Sequence, residues 1–210
     1  LPIVRVREHV NPLSQRYQTS IAPPDWATIF TEPHQPLHLD IGCGRGRFLM
    51  EMAQLRSDWN FLGLEIRQPL VTQANDWRSD WNLTNLHYLF CNANNSLRPL
   101  LTSLPPRTLQ QVTIQFPDPW FKRKHQKRRV VTETLVADLA AFLAQDGFVF
   151  LQSDVLEVAI EMRDRFAAHS GFTCQQEGWL AENPLPVSTE RELVTLEYGE
   201  SVYRSWFLRT

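Results

Sequence analysis

From residue 37 onward the chain alternates between two hydrophobic periodicities. Leu37 to Ile41 is a short apolar stretch of strand character, and Phe48, Leu49, Met50, Met52, Ala53 and Leu55 then recur at helical spacing. The same exchange continues: strands are expected over 61–66, 86–91, 112–116, 148–152, 172–176 and 202–208, and helices over 70–81, 97–104, 131–144 and 155–169. A β-α-β order of this kind predicts an α/β, Rossmann-like domain. Parallel strands need crossover connections, and the helices supplying them cover both faces of a mostly parallel sheet of about seven strands. Residues 1–36 differ, with six prolines and little periodicity. They are expected to form an extended proline-rich arm, with Arg5, Arg7, His9 and Arg16 scattered along it, ahead of a single domain over 37–210.

Composition sharpens this picture in three places. At 210 residues and 43% hydrophobic content, the chain can bury one full core. No apolar run approaches a membrane span and the N-terminus lacks the order of a secretory signal, so a cytoplasmic protein with no membrane partner is expected. Cys43, Cys91 and Cys174 form no C-x-x-C pair, and Pro36 separates His34 from His38, so neither a disulfide framework nor a metal site is indicated. Charge is the third. The formal net charge is only -2, yet six of the eight residues from Lys122 to Arg129 are Lys or Arg. A cluster that self-repels in this way suits a polyanion, whose phosphates it would hold.

In an open parallel sheet, ligands sit beyond the C-terminal ends of the strands. Polar residues fall at five such ends: Asp40 to Gly46, Glu65, Asn92, Asp118 and Asp154. Asp40-Ile41-Gly42-Cys43-Gly44-Arg45-Gly46 is a glycine-rich turn, where missing Cβ atoms let a ligand approach the backbone. Its spacing is not the G-x-G-x-x-G of dinucleotide folds. Asp40 would repel an anion and favours a ligand with positive charge, such as the ammonium and sulfonium of S-adenosyl-L-methionine. Glu65 can accept hydrogen bonds from both hydroxyls of a ribose. Asn92 either meets an adenine edge or forms a strand-end turn.

The most specific stretch is Phe116-Pro117-Asp118-Pro119-Trp120, followed at once by the basic run. Proline on both sides of Asp118 stiffens the backbone that carries it. Trp120 either stacks on an unstacked base or lies in the core, the latter being favoured; Trp26, Trp59, Trp77, Trp81, Trp179 and Trp206 are read as packing residues. Asp154 either helps hold substrate or caps the helix that follows it.

Taken together, F-P-D-P-W with its basic run, Asp40 to Gly44, Gly63-Leu64-Glu65, Ser153-Asp154 and a late T-x-x-E at Thr189 to Glu192 make the chain resemble the bacterial single-chain tRNA (guanine-N7-)-methyltransferases over nearly its whole length. The resemblance implies methylation of guanine 46 in the tRNA variable loop, giving 7-methylguanosine, with S-adenosyl-L-methionine as donor. It implies cofactor contacts at Asp40, Glu65, Asn92 and Ala93, to which the glycine turn adds Gly42 and Gly44. Asp118 would be the catalytic carboxylate. Lys122, Asp154 and Thr189, Glu190, Arg191 and Glu192 would contact substrate, the last four as a loop. Lys124, His125, Gln126, Lys127, Arg128 and Arg129 would touch RNA.

Two rival readings remain open on the residues alone: an RNA-binding module that lost catalysis, and a methyltransferase for a small molecule or protein. Monomer and homodimer are equally open.

Overall fold

The computed structural model describes residues 4–6 and 10–210; Arg7 and His9, assigned to the arm above, lie outside the described residues. A seven-stranded sheet runs through the molecule in the order β3-β2-β1-β4-β5-β7-β6. Its strands are β1 (Leu37–Ile41), β2 (Asn60–Glu65), β3 (Leu86–Phe90), β4 (Leu109–Gln115), β5 (Phe148–Ser153), β6 (Phe172–Cys174) and β7 (Tyr203–Arg209). β1 to β5 pair in parallel, and β7 runs antiparallel to both β5 and β6. Strand order reverses between β1 and β4, which puts the natural ligand crevice beyond their C-terminal ends.

Helices cover both faces. The first face is packed by α1 (Trp26–Ile29), α4 (Ala93–Ser103), α5 (Glu133–Phe142) and α6 (Leu156–Ala167) in one large apolar cluster that includes Leu39, Ile41, Val112, Ile114, Val149, Leu151 and Phe207. The second face meets α2 (Arg47–Leu55) and α3 (Gln68–Asp80) in a smaller cluster around Phe48, Phe61, Trp77 and Tyr88. Alternation along the strands explains the division, since neighbouring side chains point to opposite faces. Leu37, Leu39 and Ile41 enter the first cluster, whereas His38 turns to Phe48 and Phe61 on the other side.

Several expected boundaries shift, each for a local reason. β4 starts at Leu109, because Gln110 and Gln111 hide a strand start among polar residues. α4 starts at Ala93 rather than 97, with Asn92 as its cap: the Asn92 side chain accepts from Asn94 N at 3.2 Å. α5 starts after Thr132, whose hydroxyl accepts from Leu135 N at 3.1 Å. Two helices were not expected: the short α1 within the arm, and one late in the chain. α7 (Glu190–Glu197) occupies the segment anticipated as a loop, with Thr189 as its cap, accepting from Glu192 N at 3.1 Å. Its amphipathic pattern is inverted: Glu192 and Thr195 are buried while Leu193, Val194 and Leu196 are exposed.

The arm is less independent than expected. Trp26 and Phe30 are buried in the main core, and Ile21 N donates to Ser96 Oγ at 3.2 Å. Trp77 is buried as expected, but Trp81 is half exposed.

Candidate active site

Beyond the C-terminal ends of β1 to β4 lies a cavity of about 120 Å³, lined among others by Gly42, Glu65, Asn92, Asp118, Trp120 and Arg128. Ala93, Arg67 and the arm residues Val10 and Pro12 also line it. The turn after β1 is built for close approach. Gly42, Gly44 and Gly46 have φ of 83°, 58° and 78°, and a Cβ on Gly42 or Gly44 would meet nothing within 4 Å, so open space stands beside the backbone. A Cβ on Gly46 would instead fall 2.6 Å from the Tyr88 ring, so that glycine serves packing.

Glu65 is the hub of the cavity. Gly44 N donates to its Oε2 at 3.0 Å, and Arg67 donates to Oε1 from its backbone N and from Nε, each at 2.9 Å. Arg67 Nη2 reaches Oε2 at 3.0 Å, and Asp118 acts electrostatically on the same guanidinium. Arg67 was not singled out in the sequence, although it stands two residues after the strand-end carboxylate. It donates to both Glu65 oxygens, the role the sequence reading gave to two ribose hydroxyls. Asn92 serves as the turn former of the two readings. Besides capping α4, its Nδ2 donates to the carbonyls of Pro12 and Tyr17 at 3.1 and 3.2 Å, so it fastens the arm across the cavity mouth.

Asp118 sits on a strained loop. Phe116 and Trp120 both occupy the left-handed region, with φ of 48° and 44°, a conformation that costs bulky residues on the order of 1–3 kcal/mol each. Two features hold it. Phe116 N donates to Gln152 O at 2.8 Å, continuing the sheet, and Arg129 Nε donates to Pro119 O at 2.8 Å. Trp120 is not a core residue: it is half-buried on the cavity wall, with the Arg128 guanidinium 4.9 Å from its ring centroid and His125 edge-on at 5.9 Å.

The basic run folds as a 3-10 helix over Arg123–Arg128. Lys122 just before it and Arg123, Lys124 and Lys127 on it are exposed, and Gln126 Nε2 donates to Glu157 at 2.8 Å. Desolvation, then the neighbouring Arg128 and lysines, holds the His125 pKa below its ordinary value. Arg129 departs from expectation. It is buried, ion-paired to Glu157 at 2.8 Å and to Glu161, and supports the Asp118 loop instead of facing outward toward RNA.

Asp40 also sits deeper than expected, 3% exposed and absent from the cavity lining. Its Oδ1 accepts from Thr113 Oγ1 at 2.6 Å and from Gln115 Nε2 at 3.5 Å. Desolvation raises its pKa to about 6, although these two hydrogen bonds pull the other way. Asp154 does not cap α6; it pairs with Arg191, whose Nε lies 2.9 Å from its Oδ2. Glu190 pairs with Arg47 at 2.5 Å. Glu192 points inward, bound by Arg204 Nη2 at 2.7 Å and Asn183 Nδ2 at 2.7 Å. The substrate residues expected at 154 and 189–192 therefore form one group around α7, separate from the cavity residues.

Fold and site together define a Rossmann-like methyltransferase. Solved structures agree on the fold: precorrin-6y C5,15-methyltransferase from Geobacter metallireducens superposes with a TM-score of 0.56 at 14% identity, over 88% of this chain and 86% of that one. The aminoglycoside resistance methyltransferase NpmB1 gives 0.53 at 12%, over 85% and 89%. A protein-family profile described as "Putative methyltransferase" matches residues 34–205. Proteins named tRNA (guanine-N(7)-)-methyltransferase are far more similar. That of Trichormus variabilis is 63% identical over 210 residues, covering all of this chain and 98% of its own length. That of Thermosynechococcus vestitus is 58% identical over 207 residues, covering 99% and 96%. The chain belongs to the tRNA (guanine-N(7)-)-methyltransferase family. Among the described residues no helix is long and apolar enough to cross a membrane, and no three His, Cys, Asp or Glu side chains gather as a metal site.

Proposed function

We propose that this protein transfers the methyl group of S-adenosyl-L-methionine to N7 of guanine 46 in tRNA, as a cytoplasmic enzyme. The observation that carries the reading is the meeting of Glu65, the open glycine turn and Asp118 around one cavity at the switch between β1 and β4. The residues present fit the donor. A ribose hydroxyl would bind Glu65 in exchange for an Arg67 guanidinium contact, and the space beside Gly42 and Gly44 admits a ligand against the backbone. Buried Asp40 supplies negative charge for the cationic end, and Asn92 and Ala93 form the wall at the base. When bound, the donor supplies an electrophilic methyl on a sulfonium.

Guanine N7 carries an in-plane lone pair that is unprotonated at neutral pH, so no base is needed to free it. The work left to the protein is orientation and charge stabilisation. Asp118 can accept from N1–H and the exocyclic amine of guanine, which orients N7 and excludes adenine, whose matching edge lacks that pair of donors. Its charge also stabilises a base becoming cationic. Trp120 supplies a ring face on the cavity wall, and such stacking is worth about 1–3 kcal/mol per base. Lys122, Lys124 and Lys127 hold phosphates, while Asp154 and the first turn of α7 act on the substrate side through their paired charges.

The deciding experiment incubates the full chain with unmodified bulk tRNA and labelled donor, followed by nucleoside mass analysis. Labelled 7-methylguanosine is expected. Donor binding without transfer would favour the inactive RNA-binding reading, and transfer only to protein or small molecules would overturn tRNA as substrate.

A further inference from the structure

A chain of buried polar side chains crosses the second face of the sheet. His38 Nε2 lies 3.1 Å from Thr113 Oγ1, and Thr113 Oγ1 and Gln115 Nε2 both donate to Asp40 Oδ1. Gln152 Nε2 donates to Gln115 Oε1 at 2.8 Å and to Glu192 Oε2 at 3.3 Å, and Arg204 holds the far oxygen of Glu192. Strand register creates this chain. Asp40 pairs with Thr113 across β1 and β4, while Gln115, Gln152 and Arg204 form one transverse row across β4, β5 and β7. Such a row costs free energy to bury, and its hydrogen bonds offset most of that cost, with Gln152 Oε1 and His38 Nδ1 left without a partner.

The chain has a fixed direction. A glutamine amide offers an acceptor at one end and donors at the other. Because Gln152 donates to Gln115 Oε1, Gln115 must turn its Nε2 toward Asp40, and a donor there favours the ionised carboxylate. Without Gln152, the Gln115 amide is free to reverse and offer a carbonyl, which favours the protonated acid. We infer that Gln115 and Gln152 are positioning residues for the methyl donor, holding buried Asp40 as an oriented carboxylate whose charge acts on the donor's cationic end. The inference rests on the proposed role of Asp40 in donor binding.

Other groups near Asp40 do not supply the missing charge. Burial pushes the Cys43 thiol and the Tyr88 phenol well above their ordinary pKa values and lowers His38 to about 3, so all three are neutral at pH 7. Glu65 opposes ionisation of Asp40 through its own charge. The balance is therefore set by burial and Glu65 on one side and by the donors from β4 on the other. At its far end the chain binds Glu192 in the first turn of α7, beside Arg191 and its partner Asp154. Donor-side and substrate-side groups are thus joined by one set of hydrogen bonds.

The test uses Gln115→Met and Gln152→Met in the full chain, with Gln152→Leu as a second uncharged replacement that cannot donate to Gln115. Two quantities are read between pH 5 and 8.5: S-adenosyl-L-methionine affinity by calorimetry, and the Asp40 carboxyl midpoint by carbon NMR without ligand. All three variants should raise the midpoint by about one pH unit. Donor affinity should fall roughly five- to tenfold near pH 6 and return to within about twofold at pH 8.5, where Asp40 is ionised regardless. Ile114→Val, on the opposite face, should leave the midpoint in place. Asp40→Asn separates the two ideas: wild-type donor affinity in that variant would sink the role of Asp40 itself. If Asp40→Asn abolishes binding while the glutamine variants keep the wild-type midpoint, the positioning role is overturned and the Asp40 reading stands.

Discussion

The two faces of this sheet are built on opposite principles. Against α4, α5 and α6 the strands present Leu39, Ile41, Val112, Ile114, Val149 and Leu151, a dry surface where energy comes from area removed from water. Against α2, α3 and α7 the same strands present His38, Asp40, Thr113, Gln115, Gln152 and Arg204, all buried. The dry face needs only the right volume, whereas the polar face needs each donor matched to an acceptor. The site lies beyond the ends of both, and its charged members draw on the polar one. Stability and function are thus partly separated within one sheet.

That contrast can be broken or sharpened in five ways, taken from the largest expected effect to the smallest. Asp118→Ala touches neither face and should lower single-turnover methylation at least about 100-fold, or ~3 kcal/mol of barrier, while donor affinity moves less than about threefold. A rate within about threefold of wild type would exclude the role given to Asp118. On the polar face, Glu192→Ala leaves Arg204, only 4% exposed, without its carboxylate, and urea unfolding should show a loss of about 3–5 kcal/mol. On the dry face, Leu139→Ala should cost about 2–5 kcal/mol through its cavity, with donor affinity at saturating pH unchanged in the folded protein. Equal losses of ligand affinity in the last two variants would erase the distinction between the faces.

Asp40→Asn tests the polar face through pH. A carboxyl whose pKa rises from 3.8 to about 6 on folding contributes stability that is complete below pH 3.8 and lost as pH climbs through 6. Replacing it should therefore stabilise the protein at pH 8 relative to pH 4, compared with wild type, by about 2 kcal/mol in denaturant melts. The opposite sign would mean that Asp40 gains more from its donors than it loses by burial. Lys124→Ala with Lys127→Ala should be the mildest, reducing the salt dependence of tRNA binding by up to about two in slope and leaving the melting temperature in place. An unchanged slope would remove these lysines from the RNA contact.

Much of the chemistry was legible before folding. Glu65, Asn92 and Asp118 were found as strand-end residues, and they do line one cavity. Arg67 escaped because a single arginine in a strand-to-helix turn carries no pattern; its meaning comes from the two oxygens it covers. The polar row left a trace in the alternation of Leu-His-Leu-Asp-Ile and Val-Thr-Ile-Gln, but which polar residues face one another depends on register between strands distant in sequence. Arg129 looked like its neighbours in the basic run, and only the turn of the 3-10 helix directs it inward to Glu157 and Glu161. α7 was hidden because its buried positions are Glu192 and Thr195, so its hydrophobic signal points away from the core.

Local information was therefore enough for the order of the strands and of the five helices between them from α2 to α6, for the glycine turn and for the loop bearing Asp118, since periodicity, missing Cβ atoms and proline act over a few residues. Whether a charge meets solvent, a ligand or another buried charge was decided only when β1, β4, β5 and β7 came side by side. Pairing between side chains 75 residues apart, as with Asp40 and Gln115, exists in no segment of the chain taken singly.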